Sequence, residues 1–261
     1  MMKTLLFALK LNLKSCLEYR QNFFVLCLFV IPVQITQLFF SWIIVEKFYL
    51  VIGWKKWEMY LLFSIFFFSY SISQVFFKQF RYIDKYILDG TMDIFFLRPC
   101  NLIYIYILYN ISVTDLISQV FPATILLVLS IKHIDIIWNF KKIWLLFNTL
   151  INGIIIQACF FILIGSTAFW IIKNNALDRL YFSCKYYANY PLEVYGKEIR
   201  FLFTAIIPIG FLNYYPVSLI LEKNVKWDFL GNYTHVVSLG LILLTYNMWR
   251  SATKRYISTG S

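Results

Sequence analysis

"IWLLFNTLINGIIIQACFFILIGSTAFWII", residues 143–172, runs for 30 residues without a charged side chain. A helix rises about 1.5 Å per residue and bilayer hydrocarbon is about 30 Å thick, so about 20 such residues are enough to cross it. A second run, Phe23–Val45, gives 23 residues without a charge. Around these runs the 261-residue chain is 61% hydrophobic and 14% charged, against about 45–50% and 25% in soluble domains. The pattern predicts an all-α polytopic membrane protein, because lipid tolerates neither open strand edges nor irregular backbone.

Six spans follow: Phe23–Val45, Tyr60–Phe77, Leu102–Ile131, Ile143–Ile172, Phe201–Leu221 and Phe229–Trp249. The fifth contains Pro208 and Pro216, which break helices. Residues 1–22 read as an amphipathic helix lying in the headgroup layer, with Lys3, Lys10 and Lys14 within about 20° of one direction at 100° per residue. Residues 23–261 then form a single transmembrane domain.

Placing the N-terminus inside puts residues 1–22, 78–101, 173–200 and 250–261 on the inner side. These hold two thirds of the 24 Lys and Arg, as the positive-inside rule requires. Trp54, Trp57, Trp138, Trp144 and Trp227 all fall at the opposite edge, as an interfacial belt does. The expected location is the cell membrane, with both termini cytoplasmic. The net charge of +11 thus expresses orientation in anionic lipid, and no basic stripe points to nucleic acid.

Cys16, Cys27, Cys100, Cys159 and Cys184 show no CxxC spacing, and His133 and His235 lie in no HExxH motif. Neither a metal site nor catalytic residues are expected. No glycine begins the GxxxxGK[ST] phosphate loop, so any ATP and its magnesium must be held by another polypeptide.

Between spans two and three lies the inner loop 78–101, whose second half reads "ILDGTMDIFFLRPCN" (residues 87–101). Gly90 is placed to end one helix in a left-handed cap. Asp93 is placed to cap a short turn carrying Ile94, Phe95, Phe96 and Leu97. Pro99 stops that turn and pushes Arg98 toward extended backbone. Four consecutive apolar residues on an inner turn must dip into the membrane face or dock on a partner.

The spacing Gly90-x-x-Asp93-x-x-x-x-Arg98-Pro99 resembles the G-x-x-D-x-x-L-x-R-P signature of ABC transporter permeases of the type-two exporter class. In that family the signature falls in the same place. Further ordered resemblances are Tyr19-Arg20, Ala168-Phe169-Trp170, Tyr190-Pro191-Leu192, Ile207–Phe211 with Asn213–Pro216, Trp249, Tyr256 and Gly260. The resemblance implies a six-helix subunit that pairs with itself or a related permease and is served by cytoplasmic ATPase subunits. It makes loop 78–101 the coupling element, with Asp93, Arg98 and Pro99 at its structural centre; the apolar turn itself points to Phe95 and Phe96 as the docking surface. It also implies a different fifth span, Ala176–Tyr190, followed by re-entrant helices over Pro191–Leu221.

Asp115 is the one charge in the third span as drawn. Either it lines a translocation path together with Asn152, or a hydrogen bond satisfies it on a helix that extends beyond the bilayer. The leading expectation is the permease subunit of an ATP-driven exporter. A stand-alone channel or proton-coupled carrier is the alternative, although such carriers place several charges in their spans.

Overall fold

A computed structural model of the chain describes residues 53–257, except 110, 172–173 and 224–226, and isolated positions between 7 and 46. The expected interfacial helix 1–22 and first span Phe23–Val45 lie outside the described residues apart from those positions. Among the described residues every regular element is helical.

The central rod is α1 (Lys56–Phe77), prolonged by a 3-10 turn (Lys78–Tyr82) and α2 (Ile83–Leu88). At its start the Glu58 carboxylate reaches back to the Lys55 N–H at 2.6 Å. Its buried serines do not leave orphan hydroxyls in lipid: Ser64, Ser69, Ser71 and Ser73 each bond a carbonyl three or four residues back. Being small, they also admit close neighbours, and Ser69 faces Gly153 of the helix Phe140–Thr167.

After α3 (Met92–Phe96) and α4 (Leu102–Tyr109), the chain breaks and restarts at α5 (Val113–Asp115). Ser112 caps this restart by accepting the Asp115 N–H at 3.3 Å. A π turn (Leu116–Val120) precedes Pro122, which has no N–H to give, and α6 (Phe121–His133) completes the helix. The third membrane helix is therefore Val113–His133. Its expected start at Leu102 is corrected: Leu102–Tyr109 packs on the loop instead.

α7 (Phe140–Thr167) is capped by Asn139, whose side chain accepts the Lys142 N–H at 2.9 Å. α8 (Asn175–Tyr187) follows, then α9 (Lys197–Phe201) with a π turn to Ile206, and α10 (Tyr214–Ile220). A 3-10 turn (Asp228–Tyr233) leads into α11 (Thr234–Thr253). Among the described residues four helices are long and apolar enough to cross a membrane, or five if Lys197–Ile206 and Ile209–Ile220 count as one span bent by 75°.

Two aromatic cores mark the two ends of the bundle. One gathers Trp54, Leu62, Phe203, Phe211 and Tyr215; the other gathers Phe80, Met92, Tyr106, Phe161 and Trp249. The bent pair leaves and returns at the same end. Before it, Glu193 accepts the Trp54 indole N–H at 2.9 Å. After it, Lys223 pairs with Glu58 at 2.6 Å and donates to the Gly53 carbonyl at 2.9 Å. At its inner turn Asn213 donates to the carbonyls of Leu62 (3.1 Å) and Ala188 (2.7 Å). The expected fifth span, Phe201–Leu221, is thus not one straight helix: it bends by 75° at the break that holds Pro208.

The passage between the ends is made by α8. Asn174 at its start donates to the carbonyls of Arg81 and Ile164 near the second core. Cys184 and Ala188 at its other end join the first core. Residues 192–200 therefore sit at the tryptophan end, and moving Lys197 and Arg200 there narrows the charge asymmetry read from the sequence.

Candidate coupling site

The loop after α2 is shaped by local bonds. Asp89 donates its N–H to the Lys85 carbonyl at 2.9 Å, and Gly90 then takes φ +68°. That left-handed conformation is nearly free for glycine and strained for a side-chain-bearing residue. α3 begins at once, with Thr91 at its N-cap position and no side-chain cap bond. The expected capping role of Asp93 is corrected. It lies within the first turn of α3, and its Oδ1 accepts the Tyr256 hydroxyl at 2.7 Å. Burial first, then this bond and the Asp93 charge, push the Tyr256 hydroxyl up to about 12. It therefore remains a protonated donor at neutral pH.

Helical geometry sorts the four apolar residues of the turn. Phe95 is 4% exposed, with its ring 5.3 Å from those of Tyr106 and Tyr109 and 6.0 Å from Tyr86. As a docking residue Phe95 is therefore corrected: it is the turn's anchor. Phe96 lies flat on Tyr256, centroids 4.6 Å apart and 7° from parallel. Ile94 and Leu97 point outward, Leu97 being 83% exposed. Arg98 and Pro99 are exposed too, and the chain turns over Pro99 through a 2.8 Å bond from the Cys100 N–H to the Arg98 carbonyl.

The aromatic contacts behind this turn close into a ring. From Phe96 they run to Tyr256, on to Phe169 (6.1 Å) and to Trp249 (5.9 Å). Trp249 meets Phe80 at 5.4 Å, Phe80 meets Tyr106 at 4.8 Å, and Tyr106 meets Phe95, the neighbour of Phe96. Edge-to-face pairs of this kind contribute about 0.5–1.5 kcal/mol each beyond area burial. Segments far apart in sequence, the loop, the end of α7 and the C-terminal end of α11, thus hold one five-residue helix rigidly. Leu88, Ile94, Leu97, Trp170 and Ile257 are exposed apolar side chains of these same segments.

The two path candidates are not brought together. Asp115 forms an ion pair with Lys78 and accepts from Gln119 at 2.8 Å. It sits at the first turn of its helix, not deep within it, because the helix starts at Val113. Asn152 donates to the Asn148 carbonyl at 2.8 Å and accepts from Ser238, tying α7 to α11. Neither Lys78 nor Tyr106, whose hydroxyl holds the Gln79 carbonyl at 2.9 Å, stood out in the sequence. The first was hidden by distance along the chain from Asp115, the second among 19 tyrosines.

Among known proteins, the model of the ABC-2 family transporter proteins matches residues 31–260. No curated protein and no solved structure matches the chain. With a helical membrane bundle and a match over most of its length, the chain belongs to the ABC-2 transporter family, as a transport membrane component and not a catalytic subunit.

Proposed function

We propose that the chain is the permease subunit of an ATP-driven exporter of the cell membrane. It builds the path with a second permease, itself or a relative, and separate ATPase subunits bind ATP and magnesium. The observation carrying this reading is the small helix Met92–Phe96: clamped from behind by buried aromatics, it turns Ile94 and Leu97 outward. A rigid, exposed apolar knob transmits force where a flexible loop would absorb it. The reading puts the loop end in the cytoplasm and the tryptophan end outside.

The test is purification from native membranes through a tag on this chain. An ATPase and a permease partner should come with it, and the isolated chain should neither bind nor hydrolyse ATP. Nucleotide binding by the homogeneous isolated chain overturns the reading.

A further inference from the structure

α8 carries Asp178, Arg179 and Lys185 between the two ends of the bundle. Asp178 is accounted for: its two oxygens accept from Arg81 Nε and Nη2 at 2.5 and 3.1 Å. Lys185 lies two turns further on. Its Nζ sits 3.3 Å from the centroid of the buried Tyr70 ring and 5.4 Å from that of Phe182. Tyr70 is near the midpoint of the long helix Lys56–Leu88, so the ammonium lies at mid-bundle depth. Lysines on membrane helices ordinarily extend their heads outward to the headgroups. This one is turned inward.

A ring face attracts the ammonium but brings no net charge. Among the described residues no carboxylate forms an ion pair with Lys185, and the carboxylates nearest this region are engaged, Asp178 by Arg81 and Asp115 by Lys78. A second donor stands nearby without an acceptor. Gln157, fully buried, accepts the Tyr181 hydroxyl through Oε1, and among the described residues its Nε2 has no partner. Tyr181 is one turn before Lys185, and the Phe161 ring touches both Tyr181 (5.5 Å) and Tyr70 (6.2 Å). Arg81 lies over the same ring at 5.4 Å. The Lys185 and Arg81 heads and the Gln157 amide NH₂ are donor groups, so among the described residues the cluster has donors in excess and no carboxylate paired with Lys185.

We propose that this cluster recognises an anionic group, a carboxylate or phosphate, carried on an apolar body. The negative head pairs with Lys185, and what is attached to it lies against Phe182, the partly exposed ring beside it. The proposal rests on the permease reading only in letting that ligand be cargo, for binding needs no ATPase.

The test uses the purified full chain in phosphatidylcholine nanodiscs, with a fluorescent fatty acid and the matching fatty amine as probes. The parent chain should bind the acid about ten-fold more tightly than the amine, the size of one charge-assisted hydrogen bond. Lys185→Gln should remove that preference by weakening acid binding, whereas Lys185→Arg should keep it. Equal binding of acid and amine by the parent, or an undiminished preference in Lys185→Gln, overturns the proposal. Should Lys185→Gln not yield folded protein, the preference of the parent chain decides alone. Phosphatidylglycerol added to the discs separates the sources: competition identifies a bilayer lipid as the anion, and persistence of probe binding identifies a transported one. Failure here leaves co-purification of an ATPase untouched, so the two readings fall separately.

Discussion

The Tyr256 hydroxyl donates to Oδ1 of Asp93 across 163 positions of sequence, joining the C-terminal end of the chain to the small helix of the loop. A hydrogen bond to a charged group contributes about 1.5–3 kcal/mol. Tyr256→Phe keeps the stacking on Phe96 and loses only this bond. Hydrogen exchange of residues 91–97 should therefore accelerate in Tyr256→Phe and in Asp93→Ala, with the double variant no faster than Asp93→Ala alone. Additive effects in that cycle would show that the two residues act independently.

Ile94 and Leu97 should behave oppositely to Phe95. Leu97→Asp leaves the bundle folded and inserted, because its side chain is exposed. On the proposed reading it should cost about 2 kcal/mol or more of association with an ATPase subunit, as a central apolar anchor does. Phe95→Ala should cost about 3–5 kcal/mol of fold stability, visible as a lower melting temperature of the isolated chain. If Leu97→Asp assembles like the parent, the exposed knob is not the contact.

Gly165 is where α7 passes the backbone of Phe80. A Cβ there would run into the Phe80 carbonyl and the Ile83 side chain, and backbone cannot swing aside as a side chain can. Gly165→Ala should cost about 1–3 kcal/mol. Gly240→Ala is the control: a Cβ on Gly240 meets nothing within 4 Å. Thermal melts of the two variants in one detergent should separate clearly.

Thiol chemistry tests the orientation. Cys100 is exposed on the loop, whereas Cys159 and Cys184 are buried. An impermeant maleimide should label Cys100 only after the membrane is opened, and should leave Cys159 and Cys184 unlabelled in folded protein throughout. Labelling of Cys100 on intact cells places the loop outside and removes the coupling role.

What the sequence shows of this protein is what can be read locally. The charge-free run over 143–172 and the glycine at position 90 announce a membrane helix and a left-handed turn without help from other residues. Leu102–Tyr109 is as apolar as any span, yet it packs on the loop. Only the three-dimensional position of Tyr106 beneath Phe80 and Phe95 distinguishes the two fates. The charges of Asn175–Tyr187 look unpaired in the sequence until Arg81, 97 residues away, is seen to pair with Asp178. In the loop, a five-residue helix is too short for its periodicity to tell Phe95 from Leu97.

The bent pair over residues 197–220 is fastened before its entry to Trp54 and after its exit to Glu58 and Gly53. Glu58 is in the first turn of the 33-residue helix Lys56–Leu88, and Gly53 and Trp54 lie just before it. That helix is about 50 Å long at 1.5 Å per residue, and its single 3-10 turn is pinned by the Arg81–Asp178 pair. With the loop at one tip and both moorings of the bent pair at the other, the proposed coupling has a lever: a tilt imposed at Leu88 should move the two moorings together.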